Sequence, residues 1–202
     1  MPAQWVRLEV AVFNFTTLDK QVNGMVFCLD SYARLASKVD ANQSLVSIPY
    51  FDENWRPTSF YPKIQYNRNG GMHTLCLLDI KVKEPDFEAM KRGKTVYLPP
   101  RFMSVNESSE QLIEAEEVRG RGAYDPDRTL CVGLARLGQS DQCIIAGTLN
   151  ELRQQEFGSP LHCMIICGEV HDMELEALRP YLLKDSRYEI DAEGTLFQRE
   201  VA

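Results

Sequence analysis

Long apolar runs and clusters of basic residues are both missing from this 202-residue chain. No stretch approaches the ~18 apolar residues of a membrane-spanning helix. The first residues also lack the basic and apolar segments of a secretory signal. Lys and Arg total 22 against 29 Asp and Glu, and they are scattered, whereas a duplex-binding protein carries a basic face. We therefore expect a cytoplasmic protein that binds neither membranes nor nucleic acid.

Several motifs of catalytic and metal sites are also missing. Gly133 and Gly138 have the separation of a phosphate-binding loop, but Gln139-Ser140 stands where Lys followed by Ser or Thr is required. No G-x-S-x-G nucleophile turn occurs. Cys163 and Cys167 would lie ~13 Å apart on one strand, too far for a single tetrahedral zinc. We therefore expect no metal site, and free, mostly buried thiols for the six cysteines.

What the chain does contain, from about Ser44 onward, is a regular alternation of strand and helix signals. Short apolar runs predict strands, and capping residues followed by apolar side chains at helical spacing predict helices. Strands separated by helices indicate an α/β layer fold with a largely buried sheet. The predicted strands are 45–50, 72–82, 130–135, 143–146 and 161–167, and the helices begin near Thr58 or Ser59, Asp86, Ser104, Thr148 and Asp172.

The helix that begins near Ser104 carries the clearest local signal. Ser104 and Glu107 have the spacing of a capping box. Leu112, Ile113 and Val118 are predicted to face the core, while the glutamates at 110, 114, 116 and 117 form a solvated face. Residues 118–128 contain two Gly and one Pro and are predicted to be an exposed loop.

Two histidines and two arginines are candidate functional residues because they stand at strand ends or in a loop. His162 begins a predicted strand, and His73 has a comparable position; each could equally be a hydrogen-bonded core histidine. Arg101 follows Pro99-Pro100, and Arg136 ends a buried strand. Either guanidinium could clamp a substrate carboxylate through two hydrogen bonds, or pair with one of the many acidic side chains.

Six segments, in this order, resemble eukaryotic diphthine methyl ester synthase, also called diphthine synthase. One is Pro99-Pro100-Arg101-Phe102-Met103-Ser104, and the last is Pro160-Leu161-His162. The resemblance spans about 44 to 182 and concerns the second, C-terminal domain of that family. The full set of segments is 52–61, 69–84, 99–106, 130–136, 146–149 and 160–162.

The resemblance implies a fold and an activity. The fold is that of tetrapyrrole-methylase-like (class III) methyltransferases: two α/β domains, each with a sheet flanked by helices, enclosing S-adenosyl-L-methionine. The family methylates the 3-amino-3-carboxypropyl-histidine of translation elongation factor two to diphthine methyl ester, a step of diphthamide biosynthesis. The implied partners are the elongation factor and a second copy of the chain in a homodimer.

Three cofactor-binding positions carry over from the family: Leu78, Leu137 and His162. The family's Gly-Leu-Gly-Leu-Gly-Asp turn and its Gly-Asp-Pro segment do not occur in this sequence. We therefore divide the chain into an unassigned leader (1–43), a C-terminal methyltransferase domain (44–183) and a tail (184–202). The alternative is a truncated, inactive module that retains only oligomerisation or elongation-factor binding. No catalytic base can be named.

Overall fold

The computed structural model describes residues 45–82, 84–86, 90–93, 96–184, 186, 188–190 and 196–198. The leader predicted at 1–43 lies outside these residues, as do 87–89 of the helix predicted from Asp86. The strands are β1 (Leu45–Ile48), β2 (Thr74–Leu78), β3 (Ile80–Lys81), β4 (Arg101–Phe102), β5 (Cys131–Ala135), β6 (Cys143–Gly147), β7 (His162–Ile166), β8 (Tyr188–Ile190) and β9 (Leu196–Gln198). The helices are α1 (Tyr61–Asn69), α2 (Val105–Arg119), α3 (Leu149–Leu152) and α4 (Asp172–Leu178), and a 3-10 turn follows at Arg179–Tyr181.

The central sheet has five strands in the order β1-β2-β7-β5-β6. β1 runs parallel to β2, whereas β2 with β7, β7 with β5, and β5 with β6 are antiparallel pairs. β2 and β5 therefore end where β7 and β6 begin, and Ala135 lies beside both His162 and Cys143. We call this the upper edge of the sheet. The lower edge is the opposite one, where β2 and β5 begin and β7 ends.

Helices cover the sheet on both faces, because successive strand residues point to opposite sides. On the first face, Cys76 and Met164 pack with Leu112 of α2 and Leu149 of α3. On the second face, a separate cluster contains Leu75, Val132, Ile165, Leu178 of α4 and Tyr188. All five residues of β5 are buried, as expected for a strand covered on both sides. The predicted α/β layer fold is confirmed.

The cap predicted for α2 is also confirmed. The Ser104 hydroxyl accepts from the Glu107 N–H at 3.1 Å, and the Glu107 carboxylate accepts from the Ser104 N–H at 3.0 Å. These two bonds satisfy backbone donors that a helix start otherwise leaves unpaired. Thr148 and Glu151 make the same capping box at the start of α3.

Two other predicted caps are wrong. Neither Thr58 nor Ser59 caps α1: Phe60 is at the N-cap without a side-chain bond, and the Thr58 hydroxyl accepts from Arg119. Helix α4 is capped by His171, whose Nδ1 accepts from the Met173 N–H at 3.3 Å, rather than by Asp172.

The segment predicted as a loop from residue 118 is partly helical and partly buried. Helix α2 continues to Arg119, which leaves the Val118 side chain exposed. Ala123 and Tyr124 are buried. Glu116, expected on a solvated face, instead accepts from the Tyr61 hydroxyl at 2.9 Å and from the Ala123 N–H at 3.1 Å. A buried turn needs such an acceptor, because its unpaired N–H groups would be costly.

Candidate functional site

The three residues predicted to bind a cofactor all lie at the upper edge. Leu78 ends β2, His162 begins β7, and Leu137 follows the end of β5 by two residues. Leu78 and Leu137 are nearly buried, with 5% and 7% of their surface exposed. They belong to different cores, since Leu78 packs in the cluster on the first face and Leu137 in the cluster on the second. The three residues therefore share an edge but not a face of the sheet.

The imidazole of His162 is held by hydrogen bonds at both nitrogens. Its Nδ1 accepts from the Val105 N–H, 3.3 Å away, at the start of α2. Its Nε2 lies 3.2 Å from the carbonyl oxygen of Gly158 and 3.0 Å from that of Ser159. Because a carbonyl can only accept, this pattern assigns the proton to Nε2. Burial lowers the pKa of His162, so the ring is a fixed, neutral imidazole.

Phe157 supports this histidine from the core. The two ring centroids are 6.0 Å apart with the planes tilted by 54°. Phe157 itself packs against Gly133 in the middle of β5: a Cβ added at Gly133 would lie 2.6 Å from Phe157 Cε1 and 3.0 Å from Val105 Cγ1. The missing side chain of Gly133 therefore makes the space in which Phe157 sits.

The Arg136 guanidinium donates hydrogen bonds to Asp141 and to backbone carbonyls near His162. Its Nε donates to the Asp141 carboxylate at 2.6 Å, its NH2 group to the Asp141 carbonyl at 2.7 Å, and its NH1 group to the carbonyls of Phe157 and Ser159. Only 11% of this side chain is exposed. These bonds favour the other reading of Arg136, pairing with an acidic side chain, because the guanidinium already binds Asp141 and the segment that leads to His162.

Arg101 remains open at the same edge. More than half of its side chain is exposed, and its NH2 group pairs with the Glu107 carboxylate at 2.6 Å. The guanidinium carbon lies 4.1 Å from the centre of the Tyr50 ring, within the range of a cation–π interaction. Burial would raise the pKa of Glu107, but the Ser104 N–H and the Arg101 guanidinium outweigh it and lower that pKa, so the carboxylate is ionised at neutral pH.

Tyr50 and Asp79 complete this edge, and sequence reasoning missed both. The Asp79 carboxylate accepts from the Tyr50 N–H at 3.2 Å and from the Ile80 N–H at 2.9 Å. Burial, followed by the charge of Glu107, raises the pKa of Tyr50 to about 12, so the phenol is neutral. The available signal was position alone: Asp79 directly follows β2, and Tyr50 follows β1 by two residues, where both strands end at this edge.

His73, the other candidate histidine, is a structural residue at the lower edge. Its Nε2 lies 3.2 Å from a Glu174 carboxylate oxygen, and its Nδ1 accepts from the Gly168 N–H at 2.9 Å. Burial would raise the pKa of Glu174, but the bonds from His73 and from the His171 N–H prevail and lower it. Within the described residues, no group of three or more His, Cys, Asp or Glu side chains is arranged to hold a metal ion.

Comparison with known proteins agrees with the resemblance seen in the sequence. The chain is 57% identical over 140 residues to a protein of Arabidopsis thaliana assigned as a diphthine methyl ester synthase, covering 69% of this chain and 50% of that one. It is 47% identical over 148 residues to the human diphthine methyl ester synthase, covering 71% and 52%. Over this span the chain is a homologue of the diphthine methyl ester synthases. No family model matches it.

Solved structures of diphthine synthases have the same fold. A structure from Entamoeba histolytica assigned as a diphthine synthase aligns with a TM-score of 0.61 and 42% identity, covering 69% of this chain and 50% of that one. A second diphthine synthase structure aligns with a TM-score of 0.51 at 18% identity, which concerns the fold alone. The chain thus spans about half the length of the curated relatives that it matches. Among the described residues, no helix has the length and apolar character to cross a membrane.

Proposed function

We propose that this chain is part of an S-adenosylmethionine-dependent methyltransferase of diphthamide biosynthesis. Its substrate would be the 3-amino-3-carboxypropyl-histidine of translation elongation factor two, and its product diphthine methyl ester. The observation that carries the proposal is the identity of 57% over 140 residues to a diphthine methyl ester synthase. The same proposal makes the protein cytoplasmic, where elongation factors act, and makes it a homodimer.

The upper edge has the chemistry that one side of a nucleoside site requires. Leu78 and Leu137 present small apolar surfaces at the strand ends, and His162 presents a neutral aromatic ring of fixed orientation. Apolar walls with a few placed polar groups are typical of small-molecule sites. These residues therefore fit one wall around the adenosine of S-adenosylmethionine. In this proposal they hold the cofactor, which supplies a methyl group already activated as a sulfonium.

The remaining task of the chain is to align the acceptor. Alignment alone can contribute effective molarities of ~10⁵ M or more, so methyl transfer needs no catalytic dyad. Arg101 is the side chain suited to the acceptor's carboxylate, because it is exposed, permanently charged and oriented by Tyr50 and Glu107. An uncharged amine or a free carboxylate oxygen of the acceptor would then face the methyl group.

Calorimetry with S-adenosylhomocysteine tests the cofactor site. We expect micromolar binding to the purified chain, weakened about tenfold by His162→Gln because the ring and its bonds to the 158–159 carbonyls are lost. His73→Gln is the matched control, since His73 also makes hydrogen bonds through both nitrogens but lies at the lower edge. Equal weakening by both substitutions would contradict the assignment of His162.

Methyl transfer to the elongation factor tests the acceptor site. We expect Arg101→Ala to lower kcat/KM about tenfold or more, since a charge-assisted hydrogen bond is lost. Arg56→Ala is the control, because Arg56 is also exposed and also pairs with a glutamate of α2, but with Glu114 and not with the capping residue Glu107. Unchanged kcat/KM in Arg101→Ala would refute its role.

A second candidate function is a non-catalytic module that keeps only partner contacts. The coverage is compatible with it, since the chain spans about half the length of each matched relative. The two candidates differ in the same experiment. Binding of the elongation factor without any heat from S-adenosylhomocysteine supports the module, whereas micromolar binding of S-adenosylhomocysteine supports the methyltransferase.

A further inference from the structure

A cleft lies at the lower edge of the sheet, between helix α1, which packs in the first-face cluster, and helix α4, which packs in the second. It has a volume of about 340 Å³ and is open to solvent. Helix α1, the segment before β5, the segment after β7 and helix α4 form its walls. A five-residue strand spans ~13 Å between its first and last Cα, so this cleft is separate from the upper edge. The residues on which the argument depends are Arg68, Arg128, Thr129, Leu130, Asp172 and Leu175.

Arg68 is the unusual residue in this cleft. Its NH1 group donates to the Thr129 hydroxyl, but its Nε–H is buried and has no hydrogen-bond partner within the described part of the chain. No carboxylate among the residues that the structure describes pairs with its guanidinium. Arg68 lies in the last turn of α1, where the helix dipole stabilises a positive charge. No carbonyl at this helix end accepts a hydrogen bond from the Arg68 Nε–H. A buried donor without a partner is costly, so the fold alone gives this guanidinium an incomplete set of acceptors.

The other residues that line the cleft indicate the charge and the apolar character of a ligand that would fit it. Arg128 places a second guanidinium at the cleft, and its Nε lies 3.9 Å from an Asp125 carboxylate oxygen. Leu130 and Leu175 are nearly buried and give the cleft an apolar side. The Asp172 carboxylate also lines the cleft, so an anion is accepted only if the guanidinium groups outweigh that charge.

We propose that this cleft binds the phosphate or carboxylate group of a small ligand, with Arg68 as its principal donor. Guanidinium is suited to such groups because its N–H donors form a planar fork that matches two oxyanion oxygens. The Arg68 guanidinium, which lines the cleft, supplies these bonds. The apolar side of the cleft takes the non-ionic part of the ligand. The net charge of −7 opposes general attraction of anions, so anion binding here requires a specific site.

The test is titration of the whole chain with inorganic phosphate and, separately, with acetate, at constant ionic strength set by chloride. Arginine Nε–H resonances in a ¹H–¹⁵N spectrum follow the site directly, and Arg68→Lys identifies the Arg68 signal by its loss. We expect a saturable shift of that signal with at least one of the two anions. Saturation by phosphate alone identifies a phosphate site, and saturation by acetate alone identifies a carboxylate site.

Substitution then separates a specific site from a general salt effect. We expect Arg68→Gln to weaken the responding anion about tenfold or more, measured by calorimetry, because a charge-assisted bond is lost. Arg119→Gln is the matched control: Arg119 also donates to a threonine hydroxyl, that of Thr58, but lies at the end of α2. If Arg68→Gln is unfolded, the spectrum of the unaltered chain decides alone. No shift of the Arg68 signal with either anion, or equal weakening by both substitutions, overturns the proposal.

Discussion

Adding one methyl group at Gly133 should disturb both the core and the candidate site. Gly133 lies in the middle of β5, and a Cβ there would meet Phe157 Cε1 at 2.6 Å and Val105 Cγ1 at 3.0 Å. Ordinary contacts between such atoms begin at 3.4 Å. The Phe157 ring must therefore retreat by about 1 Å, within a close-packed interior that resists such shifts. Because Phe157 is nearly buried and packs on His162, that movement disturbs the contact with His162 at the upper edge.

The magnitude follows from two opposing effects. Overpacking of this kind costs typically 1–3 kcal/mol, and we expect about 3 kcal/mol because the obstacle is a rigid ring. Replacing Gly by Ala also restricts the unfolded chain, which stabilises the folded state by about 0.4–1 kcal/mol. We therefore expect Gly133→Ala to lower the free energy of unfolding by about 2 kcal/mol, measured by urea denaturation.

Gly70→Ala is the matched control. Its added Cβ would lie 3.4 Å from Met72 Cε, an ordinary contact, and its φ of −90° suits any residue. We expect that substitution to leave stability unchanged or to raise it slightly. The decisive measurement is a double-mutant cycle with Phe157→Leu, in which the cost of Gly133→Ala should fall by about 1 kcal/mol or more. An equal cost in both backgrounds would refute the steric explanation.

Three further predictions concern the segments around His162. Ser104→Ala should lower the free energy of unfolding by about 1 kcal/mol and Ser104→Asp should not, because Asp can also cap α2; urea denaturation measures both. Because folding lowers the pKa of His162, its imidazole takes up a proton at a higher pH in the unfolded state than in the folded state. Stability should therefore fall as pH drops below ~6.5, and less in His162→Gln; parallel pH profiles would contradict this. Arg136→Gln should accelerate amide exchange in 157–161, because donors to the Phe157 and Ser159 carbonyls are lost, and unchanged exchange would contradict that role.

Local sequence signals predicted most of the fold. The apolar run at 130–135 predicted β5, and the Ser104–Glu107 and Thr148–Glu151 spacings correspond to capping boxes in the structure. The failure at Glu116 involves a contact between residues distant in sequence, whereas the cap of α4 is displaced by only one residue, from Asp172 to His171. Glu116 is drawn to the Tyr61 hydroxyl, 55 residues away, and so does not stand on a solvated face. No periodicity contains that information, because the partner is chosen by tertiary packing.

In the candidate site too, the sequence predicted some of the residues but not their tertiary contacts. Resemblance selected Leu78, Leu137 and His162, and the register of the sheet then gathers them at one edge. Position at a strand end also selected Arg136, but could not reveal that its guanidinium is occupied by Asp141 and by backbone carbonyls. The Arg68 cleft had no signal in the sequence. Its unusual feature, a buried N–H without a partner among the described residues, depends on tertiary packing and has no counterpart in the sequence pattern.

The separation of Leu78 and Leu137 into different cores has a mechanical consequence. A molecule that contacts both leucines would link, across the end of the sheet, two packing layers on opposite sides of the strands. Local opening of either layer would then have to break the same contacts. Such a ligand should slow amide hydrogen exchange on both faces together, whereas one that touches a single face would protect that face alone.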